Sequence, residues 1–316
     1  MPLDPELRYF LGFDGGGTKT ECLLANAEGA VVARSIAGAS NPLRTGYTRA
    51  WFALSEAADA VLRRQKIKAH DVSAVCAGIG GAGRPGVAKR ITAFLTGSFP
   101  NARVDVTTDL EIALEAAFGA DEGILLLAGT GSACFGRAAN GRTARAGGRG
   151  PWFSDEGSAF DIGRRAFVAV TSAEDHRGAE TALSKQLFAW HQCHNWEALL
   201  ERIAKNPDDV FPQTFPLVAQ LADKGDAVSR GILFGAAESL GELARCVAHE
   251  LGRIDGKIPV AKAGGVHGRS KYFDAAIDSE LKKALPAARV SLLGISPAQA
   301  AVHMAIRASL TAGNAV

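Results

Sequence analysis

Residues 9–24 read YFLGFDGGGTKTECLL, and the segment FDGGGTKT within them, residues 13–20, decides the fold. An apolar run ends at Asp14, three glycines follow, and a second strand-like run begins at Thr20. Acid and glycines thus stand at the carboxyl end of a strand, where open α/β sheets place their ligands. Gly15, Gly16 and Gly17 let backbone N–H groups come close to an anion. A carboxylate beside a phosphate has a use for a cation, most simply Mg²⁺ completed by water. Thr18 and Thr20 add hydroxyls and Lys19 a counter-charge, so the corner suits a metal-nucleotide phosphate. A tight hairpin turn is the other reading, but three glycines next to an acid exceed what a turn needs.

Working outward, YFLGFD is a buried strand and residues 20–38 form a hairpin turning near residues 26–29. Residues 46–65 have helical apolar spacing, with Trp51, Leu54, Ala58, Val61 and Leu62 on one face. DVSAVCAGIGGAG is a strand entering a glycine loop, ARVDVTTD a strand and LEIALEAAFGA a helix. A second cycle then opens. EGILLLAGTGSACFG repeats the strand–Gly/Thr–strand corner, and Asn140-Gly141 marks a tight turn to a third strand. Helices dominate residues 157–252. KIPVAKAGGVHG is a late strand with a glycine loop, and a helix, a strand and a last helix close the chain. The plan is two related α/β domains with a cleft between them, the boundary falling near residues 119–122.

Two glycine motifs mislead. A Walker P-loop needs G-x-x-x-x-G-K-[ST] entering a helix, whereas here Thr18 separates Gly17 from Lys19 and a strand follows. GIGGAG, residues 78–83, matches G-x-G-x-x-G, with Asp105 as a ribose acid in a dinucleotide reading. That reading leaves the corners at residues 14–18 and 129–132 and the loop at Gly264 and Gly265 unexplained.

Composition narrows the class. The formal charge of +2 lacks the clustered basic face of a nucleic-acid binder. No basic leader precedes an apolar run and no uncharged stretch is long enough to span a bilayer, so a soluble protein is expected. Cys22, Cys76, Cys134, Cys193 and Cys246 are scattered without CxxC or zinc spacing. They fit small core residues in a reducing cytoplasm.

The ordered set FDGGGTKT, GASN, TTD, AGTGSACFG, GGRGPWFSDEGSAFDIG and AGG resembles the sugar-kinase/Hsp70/actin superfamily. Within it, the set is similar to the branch of N-acetylglucosamine kinases and BadF/BadG/BcrA/BcrD ATPases. The resemblance implies two RNase H-like, actin-like ATPase domains. One spans residues 1–119, with a C-terminal helix at 296–313 packing back on it. The other spans residues 120–295 and carries a helical insertion. It further implies MgATP as cofactor, an amino sugar as substrate and a homodimer. The expected activity is phosphorylation of the 6-hydroxyl of N-acetylglucosamine. Phosphorylation of glucosamine, or ATPase activation of a radical dehydratase, is the alternative; the scattered cysteines do not favour the latter, whose members hold an iron–sulfur cluster.

By this resemblance Asp14 positions Mg²⁺. Gly15, Gly16, Gly17, Thr18 and Lys19 face the terminal phosphates, as do Thr130 and Gly131, and Gly264 and Gly265 line the adenosine site. Asp109 takes the proton of the sugar hydroxyl, and Asn41, Ser132, Gly148, Arg149, Gly150 and Asp155 contact the sugar. Arg149 and Ser154 depart from the Trp and Gly that relatives often carry there. From the residues alone, Asp109 reads first as an N-cap for the helix that follows it, and only the resemblance favours the base; Asn41 before Pro42 reads as a turn residue. His267 reads as a loop surface residue.

Overall fold

The computed structural model describes residues 8–253 and 255–313. The chain divides into two compact units. Residues up to Ala120 and those from Leu293 onward form the first, and Asp121–Leu292 the second.

The first unit is built on a five-stranded sheet. β1 (Tyr9–Gly15), β2 (Thr20–Ala25) and β3 (Val31–Ala37) form an antiparallel meander, and β4 (Val72–Ile79) and β5 (Arg103–Thr107) add in parallel on the other side of β1. Asp14 pairs with Glu21 and Gly15 with Thr20, so the glycine corner is the hairpin turn itself. The two-residue period of a strand assigns the faces of β1. Leu11 and Phe13 enter one layer with Leu54 and Val61 of α2 (Tyr47–Gln65) and Ile91 and Leu95 of α3 (Pro85–Ser98). Phe10 enters the other, with Ile112 of α4 (Asp109–Phe118) and Ala298, Ala301, Val302 and Ala305 of α11 (Pro297–Gly313). Small residues let these helices sit close. A methyl on Gly12 would lie 2.4 Å from the Ala298 carbonyl oxygen, and one on Gly78 would lie 2.3 Å from Ile112 Cδ1.

The second unit repeats the plan. β6 (Gly123–Ala128), β7 (Ser132–Arg137) and β8 (Thr143–Gly147) form the meander, and β9 (Val260–Ala263) and β10 (Val290–Leu292) continue in parallel beside β6. Between β8 and β9 the chain inserts α5 (Ala159–Glu174), α6 (Ala182–Trp190), α7 (Trp196–Lys205), α8 (Pro207–Asp223) and α9 (Ala227–Glu250). The first unit has the short α1 (Pro42–Thr45), α2 and one 3₁₀ turn (Ala69–Asp71) at the matching point. One core runs from Ile124 and Leu126 through Phe167, Phe215, Leu233 and Val247 to Phe273 and Ile277 of α10 (Lys271–Ala284). Each such side chain contributes about 1.5–3 kcal/mol by leaving water. Among the described residues, no helix is long and apolar enough to cross a membrane.

Candidate active site

In the first unit three backbone segments meet at the end of β1. The Gly15 carbonyl accepts from Gly80 N–H at 2.7 Å, and the Gly16 carbonyl accepts from Ser40 N–H and Asn41 N–H, both at 3.1 Å. Gly16 N–H donates to the Lys19 carbonyl at 3.0 Å, closing the turn. No side chain fits at Gly15, where a methyl would lie 2.1 Å from the buried Ser40 hydroxyl. Lys19 and Thr18 are exposed at the tip.

Asn41 caps α1: its Oδ1 accepts from Leu43 N–H at 3.0 Å, leaving Nδ2 as a donor. A methyl on Gly80 would lie 3.0 Å from Asn41 Nδ2 and 3.3 Å from Asp109 Oδ2. The proposed sugar contact and the proposed base therefore flank the same glycine. The cap reading of Asp109 is corrected. Thr108 is the N-cap of α4, its hydroxyl accepting from Glu111 N–H at 3.1 Å while Glu111 accepts from Thr108 N–H at 3.0 Å. With the cap supplied by a neighbour, Asp109 is the first helical residue, half-buried, and its Oδ1 accepts from Leu110 N–H at 3.0 Å.

Burial, with the nearby carboxylates of Asp109 and Glu21, pushes the Asp14 carboxyl up to about 7 against the smaller pull of Lys19. Asp14 and Asp109 thus sit where a divalent cation would relieve both desolvation and repulsion, and the donors are the oxygens Mg²⁺ prefers. Among the described residues no group of three or more acidic, His or Cys side chains is placed to hold a metal. A cation at Asp14 would therefore depend on water and phosphate oxygens, as Mg²⁺ commonly does.

Sequence reasoning missed Arg44. It lies at the end of α1, and its side chain covers Gly17: a methyl there would meet Nη1 at 2.7 Å and Cδ at 2.9 Å. The available signal was a guanidinium three residues after Asn41, nearly one full turn on from the capping position of a helix one turn long.

In the second unit the corner at residues 129–132 is closed by Gly129 N–H donating to the Gly131 carbonyl at 2.8 Å. It is tied to the start of α5 by Ala159 N–H donating to the Gly129 carbonyl at 2.8 Å. Ser132 is buried and its hydroxyl donates to the Glu156 carbonyl at 2.6 Å, so toward a ligand it can only accept. Asp155 is buried at a positive φ of 64°, an uncommon non-glycine conformation, and its carboxylate faces Gly131 and accepts from Gly150 N–H at 3.4 Å. Ser158, not Asp155 or Glu156, caps α5, accepting from Asp161 N–H. Asp155, Ser132, Gly131 and Gly150 therefore converge, as do Gly264 and Gly265 on Gly129. Gly264, at φ 106°, leaves no room for a side chain, since a methyl would lie 2.1 Å from the Ala128 carbonyl oxygen. Arg149 is exposed between Gly148 and Gly150.

His267 is not a surface residue. Its side chain is 3% exposed, and neither ring nitrogen has a hydrogen-bond partner. Burial, with the Lys262 ammonium, pulls it down to about 4.

A five-stranded mixed sheet with a phosphate-type corner after its first strand, present twice in one chain, defines the two-domain actin-like sugar kinase fold. The family model of the BadF/BadG/BcrA/BcrD ATPase family matches residues 11–303, and the chain belongs to that family. It is 30% identical to the N-acetylmuramic acid/N-acetylglucosamine kinase of Clostridium acetobutylicum, over 84% of this chain and 88% of that one. It is 28% identical to the N-acetyl-D-glucosamine kinase of Dictyostelium discoideum, over 94% of this chain and 97% of that one. A crystal structure from Chromobacterium violaceum, described as a candidate N-acetylglucosamine kinase, superposes with a TM-score of 0.75 at 25% identity, covering 95% and 99% of the two chains.

Proposed function

We propose that this protein is an ATP-dependent amino-sugar kinase that phosphorylates the 6-hydroxyl of N-acetylglucosamine. The observation that carries the reading is the approach of Asp109 Oδ2 and Asn41 Nδ2 to one glycine, Gly80, beside the Gly15–Gly17 corner. The reading takes these as the base, the sugar donor and the phosphate loop of one unit.

In the reaction the sugar oxygen forms a bond to the terminal phosphorus, and the bond from that phosphorus to the bridging oxygen of ADP breaks. The hydroxyl proton passes to Asp109. Phosphoryl transfer of this kind is governed by positioning and charge neutralisation. Asn41 donates to a sugar oxygen, Ser132 accepts from a sugar hydroxyl, and Asp155 fixes another. The corners at Gly16, Gly17 and Thr18 and at Thr130 and Gly131 take phosphate oxygens, and Gly264 and Gly265 leave space for adenosine. Asp14 would hold Mg²⁺, which neutralises phosphate charge when bound. A cytoplasmic setting suits MgATP and five free cysteines.

The test is sugar-dependent ADP release over a panel of hexoses and amino sugars, with the product's phosphate position assigned by ³¹P–¹H correlation. N-acetylglucosamine 6-phosphate is the expected product. ADP release that no amino sugar accelerates rejects the reading.

A further inference from the structure

The segment 40–44 is fixed at several points. Ser40 and Asn41 donate to the Gly16 carbonyl, the Asn41 side chain caps the first turn of α1, and Arg44 N–H donates to the Asn41 carbonyl at 3.0 Å. Pro42 at the first helical position presets the backbone φ. Thr45 Oγ1 closes on the Asn41 carbonyl at 3.1 Å. The consequence is that a four-residue helix, too short to be stable alone, holds Arg44 across Gly17 of the corner assigned to phosphate.

We propose that Arg44 is a catalytic residue that contacts the transferring phosphoryl group of ATP. The inference rests on the kinase reading only in taking the Gly15–Gly17 corner as a phosphate site. The acids at that corner, Asp14, Asp109 and Glu21, oppose a polyanion, and Lys19 is an exposed point charge at the turn's tip. A guanidinium is a permanent cation whose planar fork matches two phosphate oxygens at once. Charge spreads over the equatorial oxygens as the terminal phosphoryl leaves ADP, and a prepositioned cation lowers that barrier. Because Asn41 carries both the sugar-facing amide and the cap of α1, a sugar that engages Asn41 also steadies the helix that presents Arg44.

The test uses the full chain and two variants, Arg44→Met and Arg44→Lys, with isothermal titration of Mg·AMPPNP and Mg·ADP. Only the former carries the γ-phosphoryl group. In Arg44→Met the affinity for AMPPNP falls about tenfold or more while that for ADP moves less than about threefold, and Arg44→Lys recovers part of the loss. In parallel, kcat for sugar phosphorylation falls on the order of 10²–10³ with the sugar KM nearly constant, the size seen when one oxyanion donor is removed. A parent-like AMPPNP-to-ADP affinity ratio in Arg44→Met overturns the proposal whatever the turnover does. Failure of the parent to phosphorylate any amino sugar rejects the kinase reading alone, since the affinity ratio still judges Arg44. A parent that binds neither nucleotide overturns both.

Discussion

Thr108, not Asp109, caps α4, so the Asp109 carboxylate lies outside the capping pair. Asp109→Asn keeps the Thr108–Glu111 capping pair, so its melting temperature stays near the parent's. Its turnover falls on the order of 10²–10⁴, the cost of losing a general base; a near-parent rate in an ADP-release assay would return Asp109 to a structural role. Asp14 predicts a pH effect. Its carboxyl holds its proton up to about 7 in the folded state instead of 3.8, so ionisation is disfavoured there relative to the unfolded chain. The metal-free protein therefore loses stability as pH rises from about 4 through 7, and no more beyond. Asp14→Asn has no such group, and its melting temperature relative to the parent's rises across that window and then levels. A flat difference from pH 4 to 8 contradicts this. The position of the corners, each at the end of its unit's first strand, was legible because glycine clusters there break two apolar runs. Arg44 was not, since an exposed arginine reads as solvated surface until the fold lays it on Gly17.

At the level of elements, close packing rests on missing side chains. Gly12→Ala forces a methyl against the main chain of α11, where backbone at Ala298 and Val302 cannot step aside as a side chain would. A loss of about 1–3 kcal/mol is expected, typical of overpacking, and urea unfolding with an unchanged slope would report it. The loop between β9 and α10 gives a second case. Buried His267 stays neutral down to about 4 instead of 6.5, so the stability it permits is complete above 6.5 and is lost as pH falls toward 4. His267→Leu should melt above the parent at pH 5 and show a smaller gap at pH 7.5; the reverse trend would mean that the ring gains a partner on protonation. Strands, helices and turns followed from apolar period and glycine placement. The burial of His267 did not, because it depends on residues contributed by α10, including Asp274, well beyond the local pattern.

The whole molecule is two repeats of one sheet plan, unequal in connectivity. The second unit is a continuous segment with its own core, and residues 121–292 expressed alone should unfold cooperatively. The first unit is discontinuous, since α11 covers Phe10, Leu23, Ala25, Ala74 and Cys76 from the far end of the sequence. Residues 1–120 alone should bind a hydrophobic dye and lack a sharp melt; a cooperative transition would show that α11 is dispensable. That return of the last helix sets an order of events during synthesis. The layer beneath β1 stays open to water until α11, far later in the sequence, has been made. The second unit can close while the first still waits, so a chain stalled or clipped before α11 presents a greasy sheet face to chaperones and proteases.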